Sequence, residues 1–128
     1  MVKDLVTETN TFEVLESVAK QRWEDLNSGS KPCIRIGTAL CGEAAGSKNL
    51  LPRIQNVLDA LKIDANVSEV GCLGLCFAEP LLDIQLPGQN RVFYRNVSED
   101  DLEPIITSHI KDSNINSDLA FCILEVMN

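Results

Sequence analysis

The sequence predicts an α/β domain with a mixed four-stranded sheet and helices on both faces, preceded by an N-terminal helix. Short runs that alternate apolar and polar residues, which are typical of strands, are interleaved with longer segments whose apolar residues recur at helical spacing. A proline–glycine pair then separates two further strand-like runs. The chain has 128 residues, 45% of them apolar, which suits one core-forming domain.

The first half of this domain is predicted to be a strand–helix–strand unit. It follows an amphipathic helix expected from Thr11 to about Leu26. The first strand is Cys33–Gly37, a loop of small residues comes next, and a long helix spans about Asn49 to Lys62. Asn66–Val70 is the second strand. A unit of this length joins two parallel strands through a right-handed crossover.

The second half is predicted to be a hairpin and a helix. Pro87 and Gly88 suit the centre of a type II turn between strands Leu81–Leu86 and Arg91–Arg95. Arg91 and Arg95 are interpreted as surface charges. A helix is expected to begin at Ser98. This order of elements is the thioredoxin-like arrangement.

Three segments of the chain are therefore expected. Residues 1–30 form a tail and an amphipathic helix, residues 31–112 form the thioredoxin-like domain, and residues 113–128 form an apolar C-terminal segment. Within the last segment, Leu119–Met127 is apolar on nearly every side. Because large exposed apolar patches mark contact sites, we expect it to pack against the N-terminal helix or another chain.

Charge and composition narrow the classes of function. A net charge of −8 argues against nucleic acid and anionic membranes as partners, since both select clustered Lys and Arg. No apolar run has the length of a membrane-spanning helix, and the N-terminus does not resemble a signal peptide, so a cytoplasmic protein is expected. In that setting the five cysteines are expected to be thiols or metal ligands. The single histidine, His109, is expected to be structural.

The cysteine pair on which the functional prediction depends lies in the stretch Gly71–Pro80, with the sequence GCLGLCFAEP. Cys72 and Cys76 lie on a glycine-bearing loop that can turn both sulfurs to one side, as in loops that bind iron–sulfur clusters. The alternative is a pair of buried cysteines acting as small apolar residues. A third cysteine, Cys41, lies in the loop after the first strand.

Four groups of residues carry a resemblance to a known family: Gly37-Thr38, Cys41-Gly42-Glu43-Ala44-Ala45-Gly46, the stretch from Gly71 to Pro80, and Val92-Phe93-Tyr94 with Asn96-Val97. Together they resemble the thioredoxin-like 2Fe–2S ferredoxin domain. The version found at the N-terminus of NADH-oxidising flavoprotein subunits is especially similar. Those subunits belong to complex I relatives, NAD-linked hydrogenases and formate dehydrogenases.

The resemblance also implies a set of cluster ligands. Cys72 and Cys76 match the family's second ligand pair, and Cys41 matches the later member of the first pair. The earlier member belongs near Ile36 or Gly37, where this chain has no cysteine. Cys33 is the nearest cysteine, but it lies four residues before Gly37, about 13 Å along a strand. We therefore expect Cys33 to lie away from the other three, and its role as fourth ligand is left open beside a non-cysteine group.

The resulting expectation is an electron-transfer domain, inactive as an enzyme alone, within an NADH-oxidising dehydrogenase or hydrogenase complex. A 2Fe–2S cluster is its implied cofactor, and no NAD or FMN site is expected in this chain. The alternative is a cluster-free interaction domain of the same kind of complex. A thiol–disulfide oxidoreductase is less favoured because no Cys-x-x-Cys motif opens a helix. The partners are other subunits of the complex, and a homodimer through the terminal helices is a further expectation.

Overall fold

A computed structural model of the protein describes residues 11–28 and 30–125. The chain divides into two units, one up to Ser30 and one from Lys31 onward. The first contains helix α1, Phe12–Ser28, close to its predicted limits. Lys20 and Glu16 form an exposed ion pair on this helix at 2.7 Å. The predicted tail and the Leu26 side chain lie outside the described residues.

The second unit is built on a five-stranded mixed sheet in the order β2-β1-β3-β4-β5. Strands β1 and β2 are parallel, and the other neighbours are antiparallel. The strands are β1 Cys33–Gly37, β2 Asn66–Val70, β3 Leu82–Gln85, β4 Arg91–Tyr94 and β5 Ala120–Leu124. The first four therefore match the predicted strands to within one residue at each end.

Among the described residues of this unit, three α-helices accompany the sheet: α2 Leu40–Ala45, α3 Ser47–Leu61 and α4 Glu99–Ile106, the last continuing into a π-helical turn, Thr107–Lys111. Cys76–Ala78 forms a short 3-10 helix. The short helix α2 falls in the stretch predicted to be a loop. It is separated from α3 by Gly46, whose φ of 102° ends one helix and precedes the next. No helix in residues 11–28 and 30–125 is long and apolar enough to cross a bilayer.

The core lies between one face of the sheet and the two longer helices of this unit. Alternate strand residues point to it, because successive side chains of a strand face opposite sides. The helices α3 and α4 contact each other on the same face. The buried residues are Ile34, Ile36, Leu82, Ile84, Val92 and Tyr94 from the strands, Leu50, Ile54, Val57 and Leu58 from α3, Val97 before α4, and Leu102, Ile105 and Ile106 from α4.

Strand β5 corrects the expected strand count from four to five. It pairs antiparallel with β4, and Ile123 lies opposite Val92. Within the C-terminal segment, Ala120–Leu124 is thus a strand of this sheet and not a helix, and residues 126–128 lie outside the described residues. Because its residues are nearly all apolar, this segment lacks the two-residue alternation by which strands are usually recognised.

The hairpin between β3 and β4 has the predicted turn. The Gln89 amide donates a hydrogen bond to the Leu86 carbonyl oxygen at 3.0 Å, and Gly88 has a φ of 70°. That positive φ is the value a type II turn requires at its third residue.

The face of the sheet away from the core carries a charged cluster. Asp83 accepts hydrogen bonds from Arg35 Nε at 3.0 and 3.1 Å and from Arg91 Nη1 at 2.5 Å. Arg91, interpreted above as a surface charge, is in fact buried. The correction has a physical reason: a buried guanidinium needs a charged partner, and that partner stands on the neighbouring strand.

His109 is a buried structural residue, as expected. Its Nδ1 and the Tyr94 hydroxyl share a hydrogen bond of 2.8 Å. Burial lowers the pKa of the imidazole and raises the pKa of Tyr94 to about 12. The pair is therefore neutral at pH 7.

Candidate metal centre

The ends of β1 and β2 bring the two cysteine-bearing loops together. The strands are parallel, and Gly37 at the end of β1 stands opposite Val70 at the end of β2. Because both strands run in the same direction, the chain leaves them at the same edge of the sheet. The segment after β1 leads to Cys41 in α2, and the segment after β2 carries Cys72 and Cys76.

Gly42 holds α2 against the end of β1. A Cβ atom at this position would lie 2.3 Å from the Gly37 carbonyl oxygen and 3.0 Å from Ser47 Oγ. Only glycine permits so close an approach without a shift of the backbone. The neighbouring residue, Cys41, is therefore fixed beside the strand end, where its side chain is half-buried.

Cys72 and Cys76 form the exposed part of the site. Their Sγ atoms are 4.0 Å apart. Gly74 between them has a φ of 81°, and its amide donates a hydrogen bond to Cys72 Sγ at 3.2 Å. Two thiolates bound at about 2.3 Å to one tetrahedral metal lie about 3.8 Å apart. The observed spacing is thus close to the spacing of two ligands on one metal.

Cys41 joins this pair. A hydrogen bond with the Cys41 side chain raises the pKa of the Cys76 thiol, and a hydrogen bond with Cys72 acts in the opposite direction. The structure therefore places the segments that carry three of the four candidate cysteines at one end of the sheet.

The remaining cysteines lie elsewhere. Cys33 begins β1, opposite Asn66 and Gln85, and its side chain is 3% exposed. It is therefore at the opposite end of the strand from the site. Cys122 lies on β5, two strands beyond β3. Neither sulfur can complete the site formed by the other three.

A cluster held by four cysteines consequently does not fit this chain. The protein normally provides four thiolates to a 2Fe–2S cluster, shared between its two irons. Within the described residues, no three His, Cys, Asp or Glu side chains lie close enough together to hold a single metal ion. The three thiols fit such a cluster only if a group other than cysteine supplies the fourth ligand.

Glu79 lies beside Gly37, near which the family resemblance predicts a cysteine that this chain lacks. A Cβ atom on Gly37 would lie 3.1 Å from Glu79 Oε1 and 3.3 Å from Oε2. The carboxylate is buried, its residue being only 7% exposed, and Oε2 accepts a hydrogen bond from the Leu81 amide at 2.8 Å. A cavity of about 10 Å³ adjoins it, lined in part by Gly71 and Leu73, and is large enough for about one water molecule.

Asn96 holds the cysteine loop in place, a role that the sequence reasoning missed. Its side-chain amide donates hydrogen bonds to the carbonyl oxygens of Phe77 at 3.1 Å and Glu79 at 3.2 Å. Its backbone amide donates to Ala78 at 2.8 Å. Asn96 has a φ of 48°, and asparagine is enriched in that conformation among non-glycine residues. An asparagine directly after a strand was the available signal.

Exposed apolar side chains surround the thiols. Leu40 is 83%, Leu73 57% and Phe77 75% exposed, and each is within one residue of a site cysteine. Single exposed apolar residues are ordinary, but these three border one chemical site. The arrangement gives the thiols an apolar rim.

Fold and site together define a thioredoxin-like protein with a surface cluster of thiols. The protein is 26% identical over 106 residues to the NADP-reducing hydrogenase subunit HndB of Solidesulfovibrio fructosivorans, a match that covers 79% of this chain and 84% of that protein. It is 30% identical over 74 residues to the 2Fe–2S ferredoxin of Clostridium pasteurianum, covering 54% of this chain and 70% of that ferredoxin. No family model matches the sequence.

Solved structures confirm the thioredoxin-like fold. A thioredoxin-like [2Fe–2S] ferredoxin from Aquifex aeolicus superimposes with a TM-score of 0.64 at 14% identity, covering 73% of this chain and 93% of that one. A second structure of the wild-type ferredoxin gives a TM-score of 0.62 at 15% identity, with 73% and 98% covered. With the sequence matches above, the chain belongs to the thioredoxin-like 2Fe–2S ferredoxin family.

Proposed function

We propose that this chain is an electron-transfer domain of an NADH-oxidising dehydrogenase or hydrogenase complex. The observation that carries the proposal is the convergence of Cys41, Cys72 and Cys76 at one end of the sheet in a member of this ferredoxin family. The likeness to a hydrogenase subunit supports the kind of complex.

Cys41, Cys72 and Cys76 would hold three ligand positions of a 2Fe–2S cluster, which when bound supplies one-electron transfer. Glu79 is our candidate for the fourth ligand, because its carboxylate lies beside Gly37, close to where the family resemblance places the missing cysteine. The apolar rim of Leu40, Leu73 and Phe77 would contact another subunit of the complex. Electrons would then pass at this surface.

Iron and acid-labile sulfide per chain, measured after anaerobic reconstitution, test the proposal. We expect Cys41→Ser, Cys72→Ser and Cys76→Ser each to reduce the iron content to background. The matched controls Cys33→Ser and Cys122→Ser, which alter thiols outside the site, should retain the parent content. Loss of iron in Cys33→Ser would contradict the placement of the ligands.

The role of Glu79 needs its own comparison. Glu79→Gln keeps the size of the side chain and removes its charge, so it should lower iron incorporation if the carboxylate is a ligand. Glu43→Gln is the control, since Glu43 is also near the site but pairs on the surface with Lys48 at 2.6 Å. Equal iron content in both variants would exclude Glu79 as a ligand.

A second candidate function is a cluster-free interaction domain in the same kind of complex. The observation that favours it is the missing fourth thiol, with a buried carboxylate beside Gly37. A colourless reconstituted protein with no bound iron, a normal unfolding transition and retained incorporation into its complex would select this candidate over the first.

A further inference from the structure

We propose that Cys72 and Cys76 are a redox-modification site, which a peroxide converts reversibly to an intramolecular disulfide when no metal is bound. The inference concerns the same thiols as the proposed function but does not depend on electron transfer. It rests on their spacing, their exposure and the conformation of the loop between them.

The spacing requires only a local change. The two sulfurs are 4.0 Å apart, and a disulfide needs about 2.05 Å. Both cysteines lie in one loop, separated by three residues of which Gly74 is the centre. No Cβ atom placed on Gly74 or Gly71 would meet another atom within 4 Å. The loop therefore has open space around the points at which it must adjust.

Exposure selects this pair among the five cysteines. Both Cys72 and Cys76 are exposed, Cys41 and Cys122 are half-buried, and Cys33 is buried. A small oxidant can reach the first two directly. Cys41 is near enough to raise the pKa of Cys76, but it stands on α2, which Gly42 holds against the Gly37 carbonyl. A bond from Cys41 to Cys76 would therefore have to draw together two separately anchored segments.

The chemical step balances with hydrogen peroxide as the oxidant. One thiolate attacks the peroxide O–O bond, forming a sulfenic acid and releasing hydroxide, which takes up a proton to become water. The second sulfur attacks the sulfenic sulfur, forms the S–S bond and expels a second water. Two thiols and one peroxide thus give one disulfide and two waters. A dithiol reductant returns two electrons and two protons.

The test uses the full chain, freed of metal and reduced. One equivalent of hydrogen peroxide is added, and thiols are then counted by alkylation in denaturant. We expect the count to fall from the five free cysteines to three, with a mass loss of two hydrogen atoms and full recovery with dithiothreitol. Peptide mapping should place the bond between Cys72 and Cys76.

Matched variants test which two cysteines form the disulfide. Cys72→Ser and Cys76→Ser should each abolish the disulfide, and Cys41→Ser should form it as the parent does. An unchanged thiol count, or a bond mapped between Cys41 and Cys76, would overturn the proposal. Because the readout needs no iron, disulfide formation in a protein that takes up no iron would reject the cluster and leave this inference standing. Iron uptake without disulfide formation would support the cluster and reject this inference.

Discussion

At the scale of single residues, Gly42 shows how closely the site is fitted to the sheet. The residue touches the last carbonyl of β1, and the missing side chain leaves room for α2. The same helix carries Cys41. The position of Cys41, one of the candidate ligands, therefore depends on the absence of a side chain at the neighbouring residue, Gly42.

Gly42→Ala should destabilise the protein by about 1–3 kcal/mol, the usual cost of forcing an atom into a packed site. A Cβ atom 2.3 Å from a backbone oxygen has no flexible neighbour to displace. Urea unfolding measures the effect. Gly71→Ala is the control, because open space surrounds Gly71, and it should stay within about 0.5 kcal/mol of the parent. Equal stability of the two variants would show that α2 moves freely.

His109 should make stability depend on pH. Burial lowers its pKa in the folded state, whereas the unfolded chain should titrate near 6.5. Below that pH the unfolded state binds the proton first, so the free energy of unfolding falls as pH decreases from about 6.5 toward the lowered folded-state pKa. Above about 6.5 this contribution is constant.

His109→Gln should flatten that pH dependence below about pH 6.5, where the unfolded histidine takes up a proton. Glutamine retains a group able to hydrogen-bond with the Tyr94 hydroxyl and has no proton to gain. Chemical unfolding of parent and variant at several pH values makes the comparison. Parallel curves for the two proteins would assign the acid sensitivity to the carboxylates instead.

At the scale of elements, the cysteine loop is held from the β4–α4 connection. Asn96 donates to two carbonyl oxygens of the loop, and the Val97 amide donates to Pro80 at 3.1 Å. The bond between Glu79 and Pro80 is cis. The thiol-bearing segment is thus tied to a part of the chain some twenty residues later.

Asn96→Asp should loosen the loop while leaving the sheet intact. The substitution removes the two side-chain donors and places a carboxylate near two carbonyl oxygens, at a cost of about 1–3 kcal/mol. Aspartate also tolerates the positive φ, so backbone strain does not account for the change. Amide hydrogen exchange should accelerate at Ala78 and Glu79 and remain slow in β1 and β3. Uniform acceleration throughout would mean global destabilisation.

How far the sequence predicts each element depends on whether its signal is local. Strands β1 to β4 and helix α3 are predicted by their periodicity, and the parallel β1–β2 pair predicts that the segments carrying Cys41 and Cys72 leave the same end of the sheet. Strand β5 lacks an alternating pattern. The burial of Arg91 depends on Asp83 in another strand, and the place of Glu79 depends on Gly37. Contacts between distant segments leave no periodic trace in the sequence.

At the scale of the whole molecule, the thiols stand outside the core. Cys72 and Cys76 are exposed, and the buried residues between the sheet, α3 and α4 include none of the three site cysteines. We therefore expect the second unit to fold without a metal, in contrast to small domains that unfold without theirs.

The metal-free protein should accordingly be folded and cooperative. We expect Cys72→Ser and Cys76→Ser to change the free energy of unfolding by less than about 0.5 kcal/mol, as substitutions of exposed residues usually do. Circular dichroism and thermal unfolding check this. Ile36→Cys is the contrasting variant, since its loss of buried volume should cost about 1–3 kcal/mol. A metal-free chain without a cooperative transition would show that the cofactor is needed for folding.

The parallel pairing of β1 and β2 has a consequence for how such a protein changes over generations. Both loops leave one end of the sheet, so their cysteines can be substituted without altering the buried core between the sheet, α3 and α4. The chain has no cysteine at Ile36 or Gly37, and its sheet and core are complete without one. Selection can then act on the remaining thiols separately from the architecture that carries them.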